Sequence, residues 1–170
     1  SWGSGSRIFN GWVNMLPDGT RLTPICDLVR DKGYLTALVT TATVTHATPA
    51  GFAASVRRRD DEHLIAEQYL DKVDVILGGG KRFFSAESRK DRKDLGAAFR
   101  AAGYAHVENR DDMRSQAPSA RRMLGLFSGS HMPYTVDHRH SEALKKQAPT
   151  LAEMTEAALA MLEKQNKPFL

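Results

Sequence analysis

Cysteine is nearly missing from this chain. One, Cys26, stands among 170 residues, so no internal disulfide can form and cysteine usage says little about compartment. Its place on the apolar face of an expected helix makes it a core residue. Long apolar runs are missing as well: none approaches the roughly 18 residues a spanning helix needs, so no membrane span is expected. An initiator Met and a signal-peptide apolar stretch are also absent, and Lys167-Pro168-Phe169-Leu170 stops where a strand ought to follow a helix. Both ends therefore read as truncated, and the lack of a targeting sequence excludes no compartment. Charge of one sign does not dominate. The net charge is +4 and the pI about 9.3, yet acidic residues interleave with basic ones, which reads as a solvated mixed surface. Aromatics do not alternate with the basic residues of Arg57 to Arg59 or Lys90 to Lys93, as single-strand nucleic-acid binding would require, so no nucleic-acid partner is expected.

What is present suits one globular domain: 41% hydrophobic and 26% charged residues over residues 1–170, with no internal repeat. Ser1 to Arg7, with small residues around Trp2, reads as the remains of a packed helix. Pro17-Asp18-Gly19 signals a turn. Thr23-Pro24 opens a helix with Ile25, Cys26, Leu28 and Val29 inward, closed by Gly33. Leu35 to Thr41 is apolar and β-branched enough for a buried strand. A short helix (Ala50, Phe52, Ala53, Val56), a second (Leu64, Ile65, Tyr69, Leu70) and a strand (Val73 to Leu77) follow. Gly78-Gly79-Gly80-Lys81 lacks the spacing of a P-loop, and Arg82 stands where its Ser or Thr would be, so a tight turn is expected. Next come a helix from Arg92 to Ala102 stopped by Gly103, a strand at Tyr104 to Val107, a short helix at Arg110 to Ser115 and a strand at Met123 to Phe127. Strand and helix alternate throughout, which predicts an α/β fold: a mainly parallel sheet with helices on both faces.

Ser128 to Gln147 reads as irregular and holds His131, His138 and His140, whose roles stay open. In extended backbone His138 and His140 of Asp137-His138-Arg139-His140 would share a face, but no acidic or Cys partner recurs at ligand spacing. Thr150-Leu151-Ala152-Glu153 is a capping box opening a helix through Glu163, with Leu151, Met154, Ala158 and Leu162 inward.

The stretch from Thr40 to Ala50 draws attention as a candidate site. A strand ends there, and Pro49 reads as a helix start with Thr48 as its N-cap, so His46 and Thr48 occupy a strand-to-helix junction. Ligands of open α/β sheets bind at the carboxyl ends of strands. His46 taken alone is either hydrogen-bonded structure or a ligand.

Thr45-His46-Ala47-Thr48-Pro49-Ala50 is followed by Arg59, by Ile65-Ala66-Glu67-Gln68, and by Val73-Asp74-Val75-Ile76-Leu77-Gly78-Gly79-Gly80. Gly125-Leu126-Phe127, His131-Met132-Pro133 and Pro149-Thr150-Leu151-Ala152-Glu153-Met154-Thr155 come after them. In this order the set resembles the middle of an alkaline phosphatase. That resemblance implies part of an α/β/α sandwich and a metal-dependent phosphomonoester hydrolase working through a phosphoserine, with zinc and magnesium as cofactors. It implies phosphate monoester substrates, a homodimeric parent and a periplasmic or extracellular location. Thr48 matches the family's hydroxyl ligand of magnesium. His46 stands where members carry Asp or His, as a ligand or hydrogen-bonded to metal-bound water, and should make zinc or cobalt more competitive there. Arg59, eleven residues after Thr48, matches the arginine that clamps the substrate phosphate, leaving Arg57 and Arg58 as surface charges. The nucleophilic serine should lie before Ser1, so Ser1, Ser4 and Ser6 are not candidates. The magnesium-site glutamate should lie just past Leu170 and the zinc ligands further on, so these residues alone should be inert. A competing reading is a stand-alone phosphate- or nucleotide-binding module using Gly78 to Gly80 and Arg59. Another is a nucleic-acid binder through the basic runs.

Overall fold

The computed structural model describes residues 2–170. Four strands form one parallel sheet in the order β1-β2-β4-β3, with β1 at Ala37–Thr43, β2 at Val75–Gly79, β3 at Ala105–Val107 and β4 at Met123–Leu126. Parallel neighbours need crossovers, and helices supply them. α1 (Ile25–Arg30) precedes β1, then α2 (Ala47–Ala53) and α3 (Glu62–Tyr69) lead to β2. α4 (Leu95–Ala101) leads to β3 and α5 (Arg110–Gln116) to β4, before α6 (Thr135–His140), α7 (Glu142–Gln147) and α8 (Leu151–Glu163).

Strand alternation divides the core between two faces. Leu38, Ile76, Leu124 and Leu126 pack with Ile65 and Tyr69 of α3 and Phe99 of α4. Val75, Leu77 and Met123 point the other way, toward Met113 of α5 and Met154, Ala158, Met161 and Leu162 of α8. Helices on both faces of a mainly parallel sheet are what the alternating pattern predicts. Val75, Ile76 and Leu77 are all fully buried, as a strand covered on both sides must be. At the outer edge of β1, Leu35 pairs in parallel with Phe169, and Leu35 and Ala37 N–H donate to the Pro168 and Leu170 carbonyls, each at 2.9 Å. No helix among the described residues is long and apolar enough to cross a membrane.

The capping box of α8 forms as written: Thr150 accepts from the Glu153 amide and Glu153 returns the bond. Gly33 and Gly103 close their helices in the left-handed region, at φ 82° and 86°. Several expectations need correction. Residues 2–6 form turns and bends instead of a helix, Trp2 is 91% exposed, and Ser1 lies outside the described residues. Left-handed Gly5 breaks any helical path there, while Gly3 lies so close to Gly51 that a Cβ would meet its carbonyl oxygen at 1.8 Å. Leu28, Leu64 and Leu151 are exposed instead of inward. α1 and α3 have six and eight residues, too short to bury a broad stripe, and Leu151 is the first residue of α8, whose buried face begins at Met154. Ser128 to Gln147 is not irregular throughout, since α6 and α7 form within it. On a helix His138 and His140 point to different sides, and the His138 ring nitrogen Nε2 meets the Ala148 carbonyl at 2.9 Å.

Candidate functional site

The site grows from an irregularity in β1. Val39 pairs with Leu77 and Thr43 with Gly79, so three β1 residues, Thr40 to Ala42, lie opposite Gly78 alone. Such a bulge bends the strand and frees backbone groups. Gly78 suits this crowding, because a Cβ there would meet the Thr40 carbonyl at 2.6 Å. The freed segment turns at once, with the His46 N–H donating to the Thr43 carbonyl at 2.9 Å.

That turn is held from several sides. Thr43 and Thr45, both buried, each donate a hydroxyl hydrogen to Glu62 Oε2 at 2.6 Å. Val44 N–H donates to Gly79 at 3.0 Å, and its carbonyl accepts from the Tyr69 hydroxyl at 2.9 Å. Burial raises the Tyr69 pKa well above the ordinary phenol value, which keeps it a donor. Finally, Thr43 N–H donates to Nδ1 of His131, 88 residues away, at 3.0 Å.

His46 thereby becomes the N-cap residue of α2, in extended conformation, and Thr48 and Pro49 are the second and third helical residues. This corrects the expected start at Pro49 with Thr48 as cap. Proline is tolerated there because first-turn N–H groups have no partner within the helix. Arg59 Nη2 lies 3.0 Å from His46 Nε2. Arginine can only donate, so Nε2 accepts and the neutral ring carries its proton on Nδ1. Burial, with the Arg59 charge, lowers the His46 pKa, and Glu62 opposes the shift. The Arg59 backbone is fixed too, its N–H donating to the Gly11 carbonyl at 2.7 Å. Arg57 and Arg58 are exposed, and Arg57 stacks over Trp12.

The fold thus brings together Arg59, His46 and His131, whose ring lies edge to face with His46 at 5.5 Å between centroids. Thr48 faces elsewhere. It is exposed and lines a cleft with Thr40, Pro49, Phe52 and Leu170, at the free edge of β1. Among the described residues no three His, Cys, Asp or Glu side chains are grouped to hold a metal. The expected tight turn is confined to Gly80, since Gly78 and Gly79 belong to β2, and the amides that follow are not free to cradle phosphate. Gly80 N–H donates to the Ser128 and Ser130 carbonyls at 2.9 and 2.8 Å, and Lys81 N–H to Ser128 at 3.0 Å, so these amides are already used. Gly80 sits at φ 98°, and a Cβ on Gly79 would meet the Ser130 carbonyl oxygen at 2.1 Å.

Sequence reasoning left His131 open and missed Glu62. Neither was findable by spacing, because their partners come from other elements. The sequence model of one family, described as alkaline phosphatase, matches residues 1–170. This chain belongs to the alkaline phosphatase family. Alkaline phosphatase 3 of Bacillus subtilis is 35% identical over 173 residues, covering 98% of this chain and 35% of that protein. Alkaline phosphatase of Thermus thermophilus superposes with a TM-score of 0.91 at 42% identity, over 98% of this chain and 34% of that one. That of the Antarctic bacterium TAB5 gives 0.83 at 29% identity, over 98% and 46%. The chain therefore spans about a third to a half of these alkaline phosphatases, and it carries their fold over nearly its whole length.

Proposed function

We propose that this chain is the phosphate-clamping part of a metal-dependent phosphomonoester hydrolase, a single partial domain of a longer alkaline phosphatase. The observation that carries the reading is Arg59, anchored through its backbone and set against His46 at the carboxyl edge of the sheet, with guanidinium donors to spare. A planar guanidinium offers a phosphoryl group two parallel N–H donors, which suits charge spread over equatorial oxygens. Neutral His46 holds that guanidinium without neutralising it.

Thr48 and His46 are this chain's contribution to a magnesium site. The donor set fits in part. Thr48 offers an exposed hydroxyl oxygen at the cleft beside Leu170, while His46 Nε2 is engaged by Arg59, which favours contact through water over direct ligation. Magnesium and zinc, when bound, supply positive charge to stabilise the phosphoryl group in transfer and the attacking oxygen. Variants of the TAB5 enzyme with histidine changed to aspartate or glutamate are described with magnesium in an M3 site. By that likeness a His46→Asp change should tighten magnesium activation here.

The serine nucleophile, phosphoserine intermediate and zinc ligands belong to parts of the hydrolase outside these residues, so residues 1–170 alone are inactive on phosphate monoesters. The whole enzyme is a homodimer, periplasmic or extracellular, with no nucleic-acid partner. The test is kinetic. In the complete hydrolase Arg59→Ala lowers kcat/KM far more than Arg57→Ala or Arg58→Ala, and a larger loss at either neighbour would overturn the assignment.

A further inference from the structure

The loop after β4 crosses to the bulged end of β1 and is pinned on both sides of His131. Ser130 accepts from Gly80 N–H at 2.8 Å, and Met132 N–H donates to the Thr41 carbonyl at 2.8 Å, with the Met132 side chain buried. His131 has little freedom between these anchors. Its Nδ1 accepts the N–H of Thr43, where pairing with Gly79 resumes after the bulge; Val44 N–H serves Gly79 there, so the Thr43 N–H faces away from β2 and needs another acceptor. A ring that accepts at Nδ1 carries its neutral proton on Nε2, the opposite tautomer to His46. The two rings then meet edge to face, at 75° between planes.

We propose that His131 is a positioning residue for the phosphate clamp, acting through the turn from Thr43 to His46. Its imidazole accepts the Thr43 amide, which the ladder to β2 does not use, and its ring flanks His46. His46 is thereby oriented with Nε2 toward Arg59, and the guanidinium is held in place before phosphate arrives. The role rests on reading Arg59 as the clamp, but its structural half does not. Glu62 fixes the same turn through two side-chain hydroxyls; His131 does so through the backbone and is also in contact with the ring that holds Arg59.

The test uses the complete hydrolase, with nitrogen-15 imidazole spectra and amide exchange read at this chain's residues. In the parent, His131 should show the Nε2–H tautomer and His46 the Nδ1–H tautomer, with the Thr43 amide protected. His131→Ala should speed Thr43 exchange about tenfold, the size expected for losing one hydrogen bond, and turn His46 into a tautomer mixture. His131→Asn, whose side-chain carbonyl can accept the same N–H, should restore Thr43 protection. Leu77 and Leu124 amides report whether the sheet stays folded. Unchanged Thr43 exchange and an unchanged His46 tautomer in a folded His131→Ala chain would overturn the proposal. Arg59→Ala should disturb His46 and leave Thr43 protected. Arg59 kinetics in the complete hydrolase are a separate measurement, so the clamp reading and the positioning role can fail independently.

Discussion

Two arginines in this chain, Arg59 and Arg89, show how similar residues acquire opposite purposes. Arg89 is 4% exposed, and all five of its N–H donors are engaged: Nε and Nη2 with Asp91, Nη2 also with Glu67, and Nη1 with the His63 and Phe83 carbonyls. It ties the segment after β2 to α3 and has nothing left to offer a ligand. Arg59 is half-buried, with one side-chain hydrogen bond among the described residues, to a neutral histidine that leaves its charge intact. Saturation marks a structural staple; spare donors at a strand's carboxyl end are what the proposed phosphate clamp requires.

The widest separation between them should come from alanine substitution. Arg59→Ala in the complete hydrolase is expected to cut kcat/KM by roughly 100- to 1000-fold, the range for one preorganised donor to developing charge, with little change in Tm. Arg89→Ala should do the reverse. Removing the buried guanidinium strips the His63 and Phe83 carbonyls, Glu67 and Asp91 of their shared partner and should lower the denaturant midpoint clearly, while the protein that remains folded keeps its kcat. Should Arg59→Ala destabilise as strongly as Arg89→Ala, the contrast collapses.

A pH experiment sharpens the same comparison. The hydrogen bonds from Arg89 hold Asp91 at about 2 against an ordinary 3.8. For Glu153, burial would raise the pKa, but the Arg110 and Thr150 hydrogen bonds outweigh it and leave about 2 against 4.5. Folded values below unfolded ones mean the folded chain binds fewer protons, so this stabilisation is complete above about 4.5 and lost as pH falls to about 2. Acid-induced unfolding should show a loss in that window that Asp91→Asn reduces; an unchanged acid limb would count against the staple. His46 and His106, both lowered first by burial, add a milder loss as pH drops below the ordinary histidine value of 6.5. Smallest of all, Arg57→Ala and Arg58→Ala should change kcat/KM less than about threefold, as exposed charges do.

Much of the frame was legible because it rests on local chemistry. Thr150 and Glu153 cap a helix by geometry internal to four residues, and Gly33 and Gly103 stop helices by conformations other residues resist. The run Val75-Ile76-Leu77 declares a two-sided strand. Legibility failed where an element's state depends on what packs against it. Leu28 and Leu64 look as apolar as Ile65, yet only the sheet's position decides which side of a short helix is covered. At the site, Arg59 and His46 were visible through the family resemblance, while Glu62 and the bulge were not.

By itself, the sequence determined an alternating α/β chain and the order of its strands and most of its helices, since propensity, capping and burial period act over a few neighbours; the candidate site residues came from the family resemblance. Only the tertiary structure decided which of those residues meet. His131 reaches Thr43 across 88 positions, Arg59 reaches His46 across a helix start, and Thr48 turns away to the free edge of β1. The reason is physical: a bulge in β1 breaks the ladder at one point, and the orphaned backbone groups take whichever partners the packed loops bring within reach.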